Sequence, residues 1–347
     1  MNESPTPHRR RPRYAGTHPR RFAEKYKEHD PARYAEEVRK IMERGKTPAG
    51  MHRSICVAEV LAVLRPQPGE TAVDATLGYG GHAAELLRAV LPGGRLLALD
   101  VDPLELPRTE ARLRAMDFPP DTLRVRRSNF AGLAQALAAE SWPGADVILA
   151  DLGLSSMQID NPERGFSFKV AGPLDLRLNP ERGRSGAAWL TTLTEAQLAA
   201  AFAENADEPQ AGAIAQSVFA TQRQSPITTT RQFADAIRAA LGKREREAVD
   251  LSVRRCFQAL RILVNDEFGA LDAFLRHLPS CLLPGGRVAI LSFHSGEDRR
   301  VKKAFQTGER AGDYAAISPE IIRPGPEEIR ANPRAASAKL RWAVRAA

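Results

Sequence analysis

From residue 52 onward the sequence alternates short apolar runs with stretches of helical spacing, and that alternation constrains the fold more than any other feature. Thr71-Ala72-Val73-Asp74-Ala75 is an apolar run interrupted by one carboxylate, the pattern of a strand buried on both faces. His82 to Leu91 has helical spacing and is broken by Pro92-Gly93-Gly94. Arg95 to Asp100 reads as a second strand that enters a helix through Pro103, Thr122 to Arg127 alternates as a third, and Asp146 to Asp151 reads as a fourth. Strands and helices at this pitch predict βαβ units, hence an α/β fold with a doubly wound, mostly parallel sheet.

The alternation then stops. Residues 152–185 are rich in Gly, Pro and Asp and read as loop; residues 186–250 are helical, rich in Ala and Gln, without a convincing strand. A long helix is expected over Arg254 to Leu278, and strand text returns at Arg287 to Phe293 after Leu283-Pro284-Gly285-Gly286. The simplest account is a helical insertion after the fourth strand. It divides the chain into one domain over 51–158 and 252–347 and an inserted helical unit over 159–251. Ahead of them, residues 1–20 have a disordered composition, 21–45 the pattern of a charged helix, and Lys46 to Gly50 that of a linker.

Charge is unevenly distributed. Residues 1–50 carry 13 Lys and Arg against 7 Asp and Glu, leaving 37 against 35 for the remainder of a chain whose net charge is +8. A basic arm beside a near-neutral body suits a nucleic-acid partner or a solvated tail, and charge alone does not separate the two. No run of 18 apolar residues occurs, so no membrane span and no membrane partner are expected. Arg9, Arg10 and Arg11 are not followed by the apolar stretch of a signal peptide, and Cys56, Cys256 and Cys281 are scattered. That pattern suits reduced thiols in a cytoplasmic protein and lacks metal-ligand spacing.

The candidate site lies where the first strand meets its helix. Gly78, Gly80 and Gly81 let the backbone approach a ligand beside the positive end of the helix that His82 opens. Asp100 ends the next strand, where a carboxylate can accept both ribose hydroxyls of an adenosine. Gly78-x-Gly80-x-x-Ala83 also fits a dinucleotide fingerprint, so a nicotinamide enzyme stays open as an alternative. Two features lean towards S-adenosylmethionine: Asp74 inside the first strand, suited to an amino group, and Asp151 ending the fourth strand at the ligand crevice. For Asp74 the bland reading is a turn-capping carboxylate. His82 reads either as a helix-start residue or as a ligand contact. His294 has no second His or Cys near it in sequence, so no metal site is expected.

Longer motifs carry a resemblance. Asp151-Leu-Gly-Leu-Ser-Ser-Met-Gln158-Ile-Asp160, Asn161-Pro-Glu-Arg164-Gly165-Phe166-Ser167-Phe168 and Gly172-Pro-Leu-Asp175-Leu-Arg177 resemble the 16S rRNA (cytosine-N4-)-methyltransferase family. So do Phe257-Gln-Ala-Leu-Arg-Ile262 with Val264-Asn265, Ser292-Phe-His-Ser with Glu297-Asp-Arg-Arg-Val-Lys302, and Asn332-Pro-Arg-Ala-Ala-Ser-Ala-Lys-Leu-Arg341. The resemblance covers roughly residues 52–345. It implies a Rossmann-like class I methyltransferase fold with an inserted helical domain that recognises substrate. It implies S-adenosyl-L-methionine as methyl donor and a cytidine of the decoding region, in the 16S rRNA of the small ribosomal subunit, as target. Carried over by position, the cofactor contacts are Gly80, Gly81, His82, Asp100, Phe130, Asp151 and Gln158, to which the residue reading adds Asp74 and Gly78. Phe130 follows the third strand, where it can pack on an adenine; Gln158 has no independent rationale. Arg164, Phe166, Phe168, Asp175 and Arg177 are expected on the substrate side.

The chain departs from the family at Asn205-Ala206-Asp207-Glu208, where Tyr-Gly-Glu-Glu is usual, at Pro209, Gly212 and Ala213 in place of basic residues, at Ser252-Val253-Arg254-Arg255 in place of Pro-Ala-Thr-Arg, and at Gly296 in place of Leu. These positions bear on RNA docking more than on the methyl donor, and the basic extension lies outside the usual family pattern. Asp151 is the expected catalytic residue, accepting a hydrogen bond from the target amine. No Pro-Pro-aromatic element of the DNA amino-methyltransferases follows it, so Phe166 or Phe168 is either the stacking partner of the base or a loop anchor. An S-adenosylmethionine-binding assembly factor without catalysis, and an amine methyltransferase acting on another nucleic acid, remain as alternatives; whether the chain pairs as a homodimer is left open.

Overall fold

The computed structural model describes residues 54–347; the expectations for the N-terminal extension lie outside the described residues. The described residues form one compact unit. Its centre is a seven-stranded sheet in the order β3-β2-β1-β4-β5-β7-β6. The strands are β1 Thr71–Asp74, β2 Arg95–Asp100, β3 Leu123–Arg127, β4 Ala145–Asp151, β5 Leu282–Ser292, β6 Tyr314–Ile317 and β7 Lys339–Arg345. The first five pair in parallel, and β7 runs antiparallel to both neighbours. This is the doubly wound, mostly parallel, Rossmann-like sheet expected from the sequence.

The helices are α1 Val57–Leu64, α2 Gly81–Val90, α3 Leu106–Arg114, α4 Leu133–Ala139, α5 Ser156–Asp160, α6 Gly186–Leu190, α7 Glu195–Ala206, α8 Ala211–Gln224, α9 Thr230–Leu241, α10 Arg246–Asn265, α11 Glu267–Cys281, α12 Ser295–Ala311 and α13 Pro326–Ala331. The period-two alternation of the strands sends successive side chains to opposite faces. Val73, Leu97, Leu99, Ile148 and Ile290 pack with α4, α11 and α12, whereas Ala72, Leu96, Ala98, Val147 and Leu149 pack with α1, α2 and α3. Because both faces are covered, β1 is buried throughout and its aspartate goes inside with it.

Between β4 and β5 the chain builds a third hydrophobic cluster from α6 to α10, centred on Phe202, Ile214, Phe233, Ile237 and Phe257. Capping boxes at Thr194 with Gln197 and at Thr229 with Gln232 fix where α7 and α9 begin. The cluster takes in Val253, Cys256, Phe257 and Leu260 of α10, so this helical layer extends past residue 252.

The single long helix expected over Arg254 to Leu278 is two helices, broken at Asp266, which adopts φ 49 and ψ 45. The break has a tertiary cause. Asn265 turns its side chain to the segment after β4, accepting from Leu178 N (2.7 Å) and donating to Leu176 O (2.7 Å). The fifth strand begins five residues earlier than expected, at Leu282, because the pairing with β4 spans the Pro284-Gly285-Gly286 irregularity between Ala145 and Val147. The loop expected over 152–185 also contains α5.

Candidate active site

The order in which strands are added switches side between the parallel neighbours β1 and β4, and the carboxyl ends of those strands form the crevice where ligands of such folds bind. Each sequence-selected aspartate ends a strand there. Asp74 ends β1, Asp100 ends β2 and Asp151 ends β4. The turn after β1 ties them together. Thr76 N donates to Asp74 Oδ1 (3.1 Å), Asp151 N donates to Thr76 Oγ1 (2.6 Å), and Gly78 N donates to Asp100 Oδ2 (2.7 Å).

The glycine loop is held from behind by α3. Thr109 Oγ1 donates to Gly78 O (2.7 Å), while Arg112 donates to Tyr79 O (2.6 Å) and stacks on the Tyr79 ring at 3.5 Å. Gly80, with φ +81, caps α2, and a Cβ there would sit 2.9 Å from Thr109 Cγ2. Neither Thr109 nor Arg112 stands out in the sequence; their helical spacing from Asp102 and Glu105 was the available signal.

The electrostatics of the crevice are those of a site built for a cation. Asp74 is 1% exposed, and burial foremost, with the charge of Asp100, pushes its carboxyl from 3.8 up to about 7 against the Thr76 hydrogen bond. Asp100 rises to about 6 for the same leading reason, with its backbone hydrogen bonds pulling the other way. Asp151 rises to about 8, from burial first and then the charges of Asp74 and Glu297. Asp74 Oδ2 and Asp151 Oδ1 are buried without a hydrogen-bond partner, and so is His82 Nε2, which stands 3.7 Å from Asp151 Oδ2. His82 lies in the first turn of α2 and is held neutral, its pKa lowered to about 4 by burial against a backbone contact at Ile55. Three clustered carboxylates, two of them with an orphaned oxygen, and no cation among the described residues in contact with Asp74 or Asp100, fit a ligand that carries positive charge and hydrogen-bond donors.

Phe130, in the turn after β3, packs edge-on against Phe274 of α11 at 5.4 Å, which fixes its ring at the rim of the same end of the sheet. Gln158, expected as a cofactor contact, has both ends of its side-chain amide engaged within the protein, with Oε1 accepting from Ser155 N (2.9 Å). It closes the capping box of α5 with Ser155 and donates to the buried Asp102 Oδ2 (2.8 Å). Arg164 is buried, donates to Asp102 Oδ2 (2.7 Å), and reaches the carbonyls of Arg177 and Leu178 (3.1 and 2.9 Å). Asp102 was missed by sequence reasoning, although its place two residues after Asp100 was legible.

The other substrate-side residues are engaged within the protein. Phe166 is buried in the helical cluster, and Phe168 packs on Phe257 at 5.6 Å. Asp175 and Arg177 form a two-toothed ion pair (2.7 and 2.8 Å). The segment that carries them reaches the end of β3, where Arg127 pairs with Glu181 (2.9 Å). His294 has company that sequence distance concealed. Ligand-type atoms of Glu267, His294 and Glu297 lie within 4.8 Å of one another, as do those of Cys56, Glu59 and Glu328. Arg261 grips Glu267 with two hydrogen bonds (2.7 and 2.8 Å), so a guanidinium already pairs with one carboxylate of the first group. Among the departing residues, Asp207 accepts from Arg299 and Ser295 of α12, and Glu208 is buried against Ser252. These residues join the helical layer to the sheet domain and to α10.

Residues 49–346 match the MraW methylase family. The chain belongs to that family. Its sequence is 53% identical over 97% of its length to the ribosomal RNA small subunit methyltransferase H 2 of Alkaliphilus metalliredigens, covering 97% of that protein. It is 49% identical over 99% of its length to the ribosomal RNA small subunit methyltransferase H 1 of Lachnoclostridium phytofermentans, covering 95% of it. It is 40% identical to the ribosomal RNA small subunit methyltransferase H of Acidithiobacillus ferrooxidans, a match over 88% of this chain and 98% of that one. The family match begins at residue 49, yet the first two relatives align over nearly the whole chain. Most of the basic extension is therefore shared with some MraW methylase relatives. No helix among the described residues is long and apolar enough to cross a membrane.

Proposed function

We propose that this protein uses S-adenosyl-L-methionine to methylate the exocyclic N4 amine of a cytidine in the decoding region of 16S ribosomal RNA, within the cytoplasmic small ribosomal subunit. The observation that carries the reading is the trio of enclosed aspartates at the switch point, two with unpartnered oxygens, in a chain of the MraW methylase family. The names of its relatives support small-subunit ribosomal RNA as the substrate class. The choice of cytosine N4 rests on the resemblance of the Asp151–Arg177 motifs.

Asp74 would hold the cofactor's amino group, Asp100 its ribose, the Gly78–Gly81 loop with His82 its backbone-facing side, and Phe130 its adenine. When bound, S-adenosylmethionine supplies a methyl group activated by a sulfonium charge. The protein's part is alignment and exclusion of water. The cytosine N4 lone pair is delocalised into the ring, so an acceptor on an N4 hydrogen helps localise it. Asp151, still 28% exposed at the mouth of the crevice, is that acceptor. It need not be a strong base, because the amine becomes far more acidic once methylated and loses its proton then. The target base must leave its stack to reach Asp151. The helical layer over 159–251 and the basic arm over 1–50 are the surfaces that would bind RNA.

Mass-spectrometric mapping of methylated nucleosides in small-subunit RNA, from cells with and without the gene, tests the reading. One N4-methylcytidine must disappear with the gene, and an unchanged map refutes the proposal. Purified protein adds the catalytic test. Asp151→Asn keeps size and one acceptor oxygen but loses the charge, and its turnover should fall by about 10²-fold, the scale of losing one preorganised polar group.

A further inference from the structure

Asp102 is fully buried in the wall of the crevice and gathers four donors. Its Oδ1 accepts from Leu104 N (2.9 Å) and Glu105 N (3.3 Å) at the entry to α3. Its Oδ2 accepts from Gln158 Nε2 (2.8 Å) and Arg164 Nη1 (2.7 Å). The side chains of Arg164 and Asp102 are 5% and 1% exposed. On one side the path continues through Asp102 N, which donates to Asp100 Oδ1 (2.9 Å), and through Gly78 N on Asp100 Oδ2 (2.7 Å). On the other, Arg164 Nη2 holds the carbonyls of Arg177 and Leu178, and Leu178 N is held by Asn265 at the end of α10. A continuous hydrogen-bonded path thus joins the glycine loop to the helical layer.

A buried ion pair is weak evidence for stability, because a well-packed apolar pair of the same volume often serves as well. What this pair does that an apolar pair would not is fix direction. The segment after Asp151 passes through Gly153, with φ +97, and then forms a five-residue helix, too short to hold its own geometry in isolation. Its orientation comes from tethers, and Asp102 supplies two of them, through Gln158 and Arg164. A guanidinium also imposes the planar fork that one point charge would not.

We propose that Asp102 and Arg164 are positioning residues for methyl transfer. They lock the segment that follows Asp151 against the Asp100 end of the cofactor site, so that donor and target base are held in line. The inference rests on the proposed function. In-line displacement is sensitive to such tethers, since a misplacement of about 1 Å can cost about 10²-fold in rate.

The test uses the full chain carrying Asp102→Asn with Arg164→Met, which removes both buried charges together and leaves neither unpaired, and Asp102→Asn alone as the second variant. Titration calorimetry with S-adenosylmethionine counts binding-competent molecules and gives Kd. Single-turnover methylation of small ribosomal subunits at saturating cofactor then gives the rate per competent molecule. The backbone contacts of Asp100 do not depend on either side chain, so Kd should stay within about threefold while the rate per competent molecule falls tenfold or more. Should the double variant bind no cofactor, the same ratio is read from Asp102→Asn. A rate per competent molecule equal to wild type overturns the proposal, whatever happens to melting temperature or Kd, and leaves the pair as structure only. Absence of methylation by the wild-type protein would instead refute the proposed function.

Discussion

Asp74→Asn separates the electrostatics of the crevice from its packing, because the two side chains have nearly the same shape. In the ligand-free protein burial lifts the Asp74 carboxyl from 3.8 to about 7. The folded state therefore binds more protons than the unfolded chain between those values. Stability conferred by the neutral form is present at low pH, is lost as pH rises through that window, and levels off above about 7. At 1.36 kcal/mol per unit, a shift of about three units costs the ligand-free protein at most about 4 kcal/mol at pH 8, less whatever water entering the crevice relieves. Asparagine carries no charge at any pH. The ligand-free variant should melt higher than wild type at pH 8 and depend less on pH between 5 and 8. Cofactor binding should move the opposite way. A cation placed against Asp74 favours its ionised form, so wild-type affinity rises with pH and binding releases a proton. From Asp74 alone the linkage gives about tenfold tighter binding at pH 8 than at pH 6, and coupling to Asp151, at about 8, steepens it. Calorimetry at pH 6.5 in two buffers of different ionisation enthalpy measures the protons released, and thermal melts across pH measure the stability arm. Equal Kd at pH 6 and 8 without proton release, or an asparagine variant that is less stable at pH 8 than wild type, would refute the reasoning.

The other expectations are simpler to state. Asp100→Ala should weaken S-adenosylmethionine binding by about 2–3 kcal/mol in calorimetry, because buried hydrogen bonds to a charged group are lost; unchanged affinity removes Asp100 from the site. Deleting residues 1–46 should weaken binding to small subunits and flatten its dependence on salt, since fewer counterions are released, while cofactor affinity stays the same. An identical salt slope leaves the arm a passive tail. Gly165→Ala should lower the melting temperature, because Gly165 has φ +70 and a Cβ there would collide with the Pro173 carbonyl. A wild-type melting curve would mean that the 162–175 turn relaxes freely.

The sequence by itself determined the sheet and the ends of its strands. Continuous apolar runs at β1, β2 and β4 leave little choice about burial on both faces, and a carboxylate closing each run places Asp74, Asp100 and Asp151 at one edge of a parallel sheet before any coordinates are known. Glycines at 78, 80 and 81 mark the loop between β1 and α2 for the same local reason. The motifs from Asp151 to Arg177 marked the family. What the sequence did not contain is everything that depends on which distant segments meet. Asp102 finds Gln158 and Arg164 56 and 62 residues away, and nothing in local periodicity announces a buried ion pair at that separation. The break at Asp266 is invisible to helical spacing because it is enforced by Asn265 reaching back 89 residues to Leu176. Phe166 and Phe168 read equally well as stacking surfaces or anchors until the folded helical cluster takes both up. The raised pKa values of the three aspartates likewise exist only once β1, β2 and β4 lie side by side. Burial and mutual repulsion are properties of the assembled crevice, and a single strand in water has neither.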